Sequence, residues 1–310
     1  MTTIEDRPVT GAATGAVAGA AVPAGQVVDL PAPVVGSLSP SRAADFMNCP
    51  LLYKLRVIDR LPEPPSPAAA RGTMVHAVLE RLFDLPAAER TLAAAADLLD
   101  PAWDRLVAEE PALADLVAAD DPAARAAWLA DARELLAGYF TLEDPRRLEP
   151  AQREHRVEVV IDGGLVLRGY VDRLDEAPTG ELRVVDYKTG RAPGESFEAK
   201  ALFQMKFYAL VLWRTRGRVP RELRLIYLGD RDMLRYSPTE DELVALERKL
   251  RALWAAIERA TATGDWRARP GKLCDWCAHR HVNCTAFPVD EEQRAAYEAW
   301  RARLAPAEDG

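Results

Sequence analysis

Apolar residues recur every three to four positions over much of the first half of the chain, and this spacing predicts helices. The predicted helical segments are Arg42–Val57, a segment that opens at Arg71, and several short helices across Leu92–Phe140. Cys49-Pro50 interrupts the first of these patterns. Because proline has no backbone N–H and clashes with the preceding turn, we expect that helix to bend or to end there.

The period then becomes alternating, which indicates β-strands. Glu154–Ile161 and Leu165–Leu174 are joined by a Gly163-Gly164 turn, so they predict a β-hairpin. A short buried strand follows through Leu182, Val184 and Val185. The remaining predicted elements are the helix Glu198–Thr215, the strand Leu223–Leu228, and the helices Thr239–Ala262 and Glu291–Leu304.

Composition divides the chain of 310 residues into a tail and one main domain. Residues 1–36 are rich in Ala, Gly, Val and Pro without periodicity, which predicts a disordered tail. Residues 37–290 form the predicted domain, with a helical insertion over 80–145 and a cysteine-containing segment over 270–290. Residues 291–310 are expected to add a last helix and a tail.

Charge is distributed unevenly along the chain. The net charge is −8, yet residues 186–236 contain 11 Lys or Arg against 6 Asp or Glu. A basic segment of this kind is compatible with a nucleic-acid backbone, although a solvated helix face would have the same composition.

The sequence gives no sign of export or of a membrane span. No apolar run approaches the roughly 20 residues that a spanning helix needs, and the apolar stretch over residues 11–28 follows acidic rather than basic residues. We therefore expect a cytoplasmic protein. Its four cysteines then belong to a reducing compartment, where metal binding is favoured over disulfides.

Candidate chemistry begins at the end of the short buried strand, in Asp186-Tyr187-Lys188. Side chains alternate along a strand, so Asp186 and Lys188 point to one face and Tyr187 to the other. A carboxylate that binds a hard cation beside an ammonium that orients water suits metal-assisted phosphoryl chemistry. An ordinary ion pair at the end of a strand is the alternative explanation.

Three other groups extend this candidate site. Asp172 lies on the neighbouring, antiparallel strand and can approach Asp186, where two carboxylates would repel unless a cation lay between them. His76 falls at the edge of a helical apolar stripe, where a core histidine is the alternative. Gln204 and Tyr208 are four positions apart and share one helix face, which packing alone also explains. Asp175 is expected in a turn.

The cysteines form a second candidate site. Cys274, Cys277 and Cys284 follow a C-x2-C-x6-C spacing that is typical of metal binding, and Cys49 is the remaining cysteine. The spacing leaves two possibilities open. Cys49 could supply a fourth thiolate, or a zinc ion could be completed by His279 or His281.

Taken together, these motifs resemble the RecB-like nucleases of the PD-(D/E)xK superfamily over about residues 37 to 290. The cysteine arrangement is similar to the iron–sulfur subset, which includes the AddB nuclease domain and CRISPR-associated adaptation nucleases. The motifs occur in the order Arg71-Gly72-Thr73-x-x-His76, Gly169-x-x-Asp172-Arg173-x-Asp175, Asp186-Tyr187-Lys188-Thr189 and Gln204-x-x-x-Tyr208.

The resemblance implies a restriction-endonuclease-like α/β core, with a central mixed sheet flanked by helices, and a metal-dependent DNA exonuclease. It implies that His76, Asp172, Asp186 and the backbone carbonyl of Tyr187 bind Mg²⁺ or Mn²⁺. Lys188 would activate water, and Gln204 and Tyr208 would contact DNA near the scissile phosphate. The implied ligands of a [4Fe–4S] cluster, which would link the two ends of the domain, are Cys49, Cys274, Cys277 and Cys284.

Two hypotheses about function follow from these residues. The first is an exonuclease of DNA repair or recombination that acts on single strands or free ends. The second is a non-catalytic DNA-binding or assembly subunit with the same fold, and the presence of Lys188 favours the enzyme. The sequence contains no G-x-x-x-x-G-K-[ST] motif, so any helicase activity would come from a partner.

Overall fold

The computed structural model describes residues 36–117, 121–190 and 195–304, with side chains described in the last range from residue 201 onward. The predicted disordered tail therefore lies outside the described residues, apart from Gly36. Residues 305–310 also lie outside them.

Helices contain more of the described residues than strands do. They are α1 Pro40–Asn48, α2 Pro50–Tyr53, α3 Pro67–Leu82, α4 Leu92–Asp97, α5 Leu99–Glu109, α6 Pro122–Leu142, α7 Glu195–Arg216, α8 Glu240–Thr263 and α9 Glu291–Arg303. A π-helical turn over Lys54–Ile58 extends α2, and short 3₁₀ turns include Lys272–Trp276. The expected break at Cys49-Pro50 is confirmed, because Cys49 is extended and Pro50 begins a new helix.

Six strands form one mixed sheet. They are β1 Ser37–Leu38, β2 Gln152–Ile161, β3 Leu165–Glu176, β4 Leu182–Lys188, β5 Glu222–Tyr227 and β6 Asp232–Tyr236. β3 pairs along one edge with β2, and along the other edge with β1 near its start and with β4 near its end. β4 and β5 are parallel and are connected through α7. The predicted β2–β3 hairpin is confirmed, and both Gly163 and Gly164 adopt the positive φ that its turn requires.

Both faces of the sheet are covered by helices, so alternate strand residues enter two different cores. Val184 and Leu225 pack with α7 and α8, whereas Val185 and Ile226 pack with α3 to α6. This layering confirms the predicted central mixed sheet flanked by helices. It also places the end of β4 between the two helical layers.

The helix ends carry local signals that agree with the sequence. Proline stands at the start of α1, α2, α3 and α6, where its missing N–H is not needed. Thr239 and Glu242 form a reciprocal capping box at the start of α8, and Gly264 ends that helix with a φ of 70°.

Two strands and one residue differ from the expectations. β1 and β6 are missing from the sequence prediction. The prediction that Asp175 lies in a turn is wrong, because β3 continues to Glu176. The Asp175 carboxylate is satisfied within the strand by ion pairs with Arg173 and Arg183.

None of the described helices is long and apolar enough to cross a membrane.

Candidate active site

Asp186 and Lys188 lie at the carboxyl end of β4, as their alternation predicts. The Lys188 ammonium Nζ is 2.6 Å from Asp186 Oδ2, and Tyr187 faces the opposite core. Only 2% of Asp186 is exposed. Burial raises the pKa of this carboxyl group to about 6, although the charge of Lys188 opposes the rise.

The α7 residues Gln204 and Tyr208 join this pair. The Gln204 amide donates to Asp186 Oδ1 at 2.9 Å, and its oxygen accepts from Lys188 Nζ at 2.9 Å. The same amide nitrogen is 3.1 Å from the Tyr208 hydroxyl oxygen. Gln204 therefore fixes the carboxylate and the ammonium relative to each other. Its amide can reach both groups because α7 connects the parallel strands β4 and β5 and lies over β4.

Asp172 reaches the site from β3. Residues 173 to 176 pair with β4 as neighbouring strands do. At Asp172 this backbone pairing ends, and the backbone N–H of Tyr187 donates instead to Asp172 Oδ2 at 2.7 Å. The same oxygen lies 3.4 Å from His76 Nδ1 on α3. The expectation that Asp172 approaches the end of the Asp186 strand is confirmed.

His76 is held at the site rather than within an apolar core. Burial of the imidazole disfavours its charge, but the hydrogen bond and the charge of Asp172 outweigh this and raise the pKa of His76 to about 9. The helix that carries it approaches β4 closely through Gly72. A Cβ atom at this glycine would lie 3.1 Å from Thr189 Oγ1, so a larger residue would require the Thr189 side chain to shift.

One acidic residue of the site was missed by the sequence prediction. Ligand atoms of Glu154, His76 and Asp172 all lie within 4.8 Å of one another. Burial, followed by the nearby charge of Asp172, raises the pKa of Glu154 to about 7. The register of the hairpin could have identified Glu154 from the sequence. Ile161 pairs with Leu165 across the turn, and counting back along both strands places Glu154 opposite Asp172.

This donor set fits a hard divalent cation. Carboxylate oxygens and an imidazole nitrogen are ligands for Mg²⁺ and Mn²⁺, whereas thiolates are absent from the group. The Asp186 atom Oδ2 is buried and lies 2.6 Å from the Lys188 ammonium. A carboxylate oxygen has more than one lone pair, so it can bind a cation as well.

A family comparison decides what this arrangement is. The model of the PD-(D/E)XK nuclease superfamily matches residues 37–284, which include all of the residues just described. The chain belongs to the PD-(D/E)XK nuclease superfamily.

Two individual proteins are similar to this superfamily member. The Gene 69 protein of Mycobacterium phage D29 is 29% identical over 204 residues, covering 58% of this chain and 70% of the phage protein. The crystal structure of a candidate exonuclease from Eubacterium rectale superposes with a TM-score of 0.54 at 15% identity. That superposition covers 84% of this chain and 93% of the other. The structural likeness therefore extends over almost the whole nuclease fold.

The nuclease fold also brings the four cysteines together. Cys49, Cys274, Cys277 and Cys284 all line one cavity of about 360 Å³. Two of the sulfur atoms accept backbone N–H hydrogen bonds, Cys49 from Arg269 at 3.4 Å and Cys274 from Gly271 at 3.4 Å. Residues at opposite ends of the domain thus meet at one place.

The spacing of these sulfur atoms and the nearby histidines bear on the kind of metal. In a tetrahedral zinc site with Zn–S bonds of about 2.3 Å, sulfur atoms lie about 3.8 Å apart. Within the described ranges, no three cysteine sulfurs come within 4.8 Å of one another. His279 is fully buried, with Nε2 3.0 Å from Glu63 Oε1 and Nδ1 3.1 Å from the Asn283 amide. Its Nδ1 is therefore engaged by an amide, whereas Nε2 lies close to Glu63 without the geometry of a hydrogen bond.

Proposed function

We propose that this protein is a RecB-like, iron–sulfur DNA exonuclease that requires Mg²⁺ or Mn²⁺ and serves DNA repair or recombination. The proposal rests on the close arrangement of Asp172, Asp186 and Lys188. Gln204 forms hydrogen bonds with the last two of these residues. A protein that only binds DNA has no need for a buried carboxylate beside an ammonium at this position.

His76, Asp172, Asp186 and the backbone carbonyl of Tyr187 would hold the cation. When bound, it would neutralise charge on the phosphodiester and lower the pKa of a bound water. Their positions fit this role, since Asp172 contacts both His76 and the Tyr187 N–H. The Tyr187 ring packs in the core, and this packing fixes the backbone between Asp186 and Lys188.

Lys188 and the α7 pair would act on the water and on the DNA. In this proposal, Lys188 orients the attacking water and stabilises negative charge that develops on the phosphoryl oxygens. Gln204 holds the side chains of Lys188 and Asp186 in fixed relative positions through its two hydrogen bonds. The Tyr208 hydroxyl, held by the Gln204 amide, would contact DNA near the scissile phosphate.

An exposed aromatic residue supports a single-stranded substrate. Tyr170 lies on β3, two positions before Asp172. It is 58% exposed, and its cross-strand partner is Arg156. An exposed ring beside a guanidinium suits an unpaired base and its phosphate, since every base can stack on an aromatic face.

The cysteine cavity supports the iron–sulfur part of the proposal. Among the described residues, no three cysteine sulfurs lie within 4.8 Å of one another, whereas the sulfur ligands of one zinc ion lie about 3.8 Å apart. Backbone N–H groups donate to two of the sulfurs, and a [4Fe–4S] cluster would bind all four cysteines. Its role would be structural, because the cluster would tie α1 to the segment near Lys272.

The test is degradation of end-labelled single- and double-stranded DNA by purified protein with Mn²⁺. We expect wild type to shorten labelled single strands progressively and Asp186→Asn to be inactive. Glu240→Gln removes an exposed carboxylate at the start of α8 and should match wild type. Tyr170→Ala should lose activity on single strands while Tyr170→Phe keeps it.

An inactive wild type that still binds DNA tightly would contradict the proposal and favour a non-catalytic subunit. Equal cleavage by wild type, Asp186→Asn and Glu240→Gln would show that the observed cleavage comes from a contaminant.

A further inference from the structure

Tyr187 lies at the centre of the candidate site, although its side chain takes no part in the proposed chemistry. Its backbone N–H donates to Asp172 Oδ2 at 2.7 Å, and its neighbours in the chain are Asp186 and Lys188. Its ring lies perpendicular to the His76 imidazole, with the ring centroids 6.0 Å apart. Tyr187 therefore contacts or directly adjoins all four of these residues.

The hydroxyl of Tyr187 is held from the side opposite to the site. Arg173 Nη1 donates to this hydroxyl oxygen at 2.7 Å, and only 1% of Arg173 and 3% of Tyr187 are exposed. The two Nη atoms of Arg173 also donate to the Glu143 carboxylate at 2.7 and 3.0 Å. Nε and Nη2 donate to Asp175 at 3.0 and 3.2 Å. All five N–H donors of the guanidinium thus have an acceptor, so its orientation is fixed.

Glu143 links this guanidinium to two further elements. It is the residue that caps the carboxyl end of α6, and its side chain is only 5% exposed. Its Oε1 also accepts from Arg224 Nη1 on β5 at 2.7 Å. The position of the Tyr187 hydroxyl therefore depends on the end of α6 and on β5, through charged groups as well as apolar packing.

Stability alone does not account for this network. Apolar side chains of similar volume often stabilise a buried position as well as an ion pair does, because charges lose their hydration on burial. What the hydrogen-bonded charges add is direction. An apolar contact would allow the Tyr187 ring to slide, whereas the hydrogen bond from Arg173 fixes the far end of the ring.

We propose that the side chain of Tyr187 is a positioning element of the active site, held in place by Arg173 and Glu143. The fixed ring sets the position of the His76 imidazole and of the backbone N–H that Asp172 accepts. This inference rests on the proposed function, since the groups that it positions are the proposed cation ligands. Groups that orient metal ligands typically change metal affinity or activity by 10- to 100-fold when they are removed.

The test is Tyr187→Phe, which removes the hydroxyl and keeps the ring. Its dissociation constant for Mn²⁺, measured on the full chain without DNA by electron paramagnetic resonance of the free ion, should rise about tenfold. The Mn²⁺ concentration that gives half-maximal cleavage should rise in parallel, and DNA affinity in Ca²⁺ should not change. Tyr53→Phe is the matched control, because Tyr53 is 1% exposed in the core on the other face of the sheet. It should bind Mn²⁺ as wild type does.

A second variant tests the charged part of the network. Glu143→Gln keeps the shape of the side chain but removes the charge that holds Arg173, so it should also weaken Mn²⁺ binding. Because both changes act through the Tyr187 ring, the double variant should bind Mn²⁺ about as well as the weaker single variant. If Tyr187→Phe fails to fold, Glu143→Gln provides the same test.

Wild-type Mn²⁺ affinity in Tyr187→Phe would overturn the inference, even if its melting temperature fell, since the hydroxyl would then serve stability alone. An equal loss of affinity in Tyr53→Phe would overturn it as well. Wild type that cleaves DNA, with Tyr187→Phe unchanged, would remove the positioning role and leave the proposed function standing. Weaker Mn²⁺ binding in Tyr187→Phe, with no cleavage by wild type, would do the reverse.

Discussion

Lys188 and Asp186 form a close ion pair at the end of β4, and the Gln204 amide hydrogen-bonds to both of them. Lys188→Met should keep the fold, since the side chain is partly exposed, but should lower the rate of DNA cleavage about a hundredfold or more. Single-turnover cleavage with Mn²⁺ measures the rate, and DNA binding in Ca²⁺ should change little.

Lys249→Met provides the control, because Lys249 is an exposed residue of α8. Cleavage by Lys188→Met at the wild-type rate would reject the assigned role of Lys188.

The pKa of His76 predicts how the stability of the metal-free protein depends on pH. Its folded-state pKa of about 9 lies above the usual 6.5, so protonation favours folding. This contribution is fully present below about pH 6.5 and is lost as the pH rises to about 9. Urea unfolding in EDTA should show His76→Asn to be less stable than wild type at pH 6, with the difference shrinking by pH 9.5. A difference that stays constant with pH would show that the ring contributes through packing alone.

The cysteine cavity leads to a prediction about distant residues. Protein purified without oxygen should be brown and contain about four irons and four sulfides per chain. Cys49→Ser should lose this metal as completely as Cys277→Ser, because both sulfurs line the same cavity. Iron, sulfide and zinc analysis of each variant, with a melting curve, provides the measurement.

Stoichiometric zinc without iron would contradict the cluster while preserving the link between the two segments. A full metal content in Cys49→Ser would contradict that link.

Gly138 provides a test of the packing between α6 and the sheet. Gly→Ala within a helix normally stabilises a protein by up to about 1 kcal/mol. At Gly138, however, a Cβ atom would lie 2.1 Å from the Leu228 carbonyl oxygen. We expect overpacking to dominate and Gly138→Ala to lower the free energy of unfolding by about 1–3 kcal/mol, as measured in urea. Gly190→Ala, which has open space around its Cβ position, should be near neutral.

Strand alternation and helix spacing predicted the parts of the site that depend on local sequence. Asp186 with Lys188, and Gln204 with Tyr208, each lie on one element, so their shared face follows from the period alone. Asp172 could be placed because a glycine turn fixes the hairpin. To place Glu154, the same register has to be followed back to the start of β2. Nothing in the local sequence distinguishes this carboxylate from others on the strand.

The remaining errors come from contacts between distant segments. β1 has two residues, too few for any period, and exists because it pairs with β3 at Val166 and Leu167. β6 is an edge strand in which no residue is fully buried, so its pattern is weak. Asp175 was misplaced because its strand partner Arg183 and the buried Arg173 supply the charges that allow it to remain in a strand.

The meeting of Cys49 with Cys274 also has a consequence for synthesis of the chain on the ribosome. The two residues are separated by 225 positions. At about 5–20 residues per second, Cys49 emerges on the order of 10–45 seconds before its counterpart exists. Late in that interval the growing chain contains His76, Asp172 and Asp186, but not the segment that lies against α2. We therefore expect delivery of iron and sulfide to follow translation, and a truncated nascent chain to remain without a completed domain.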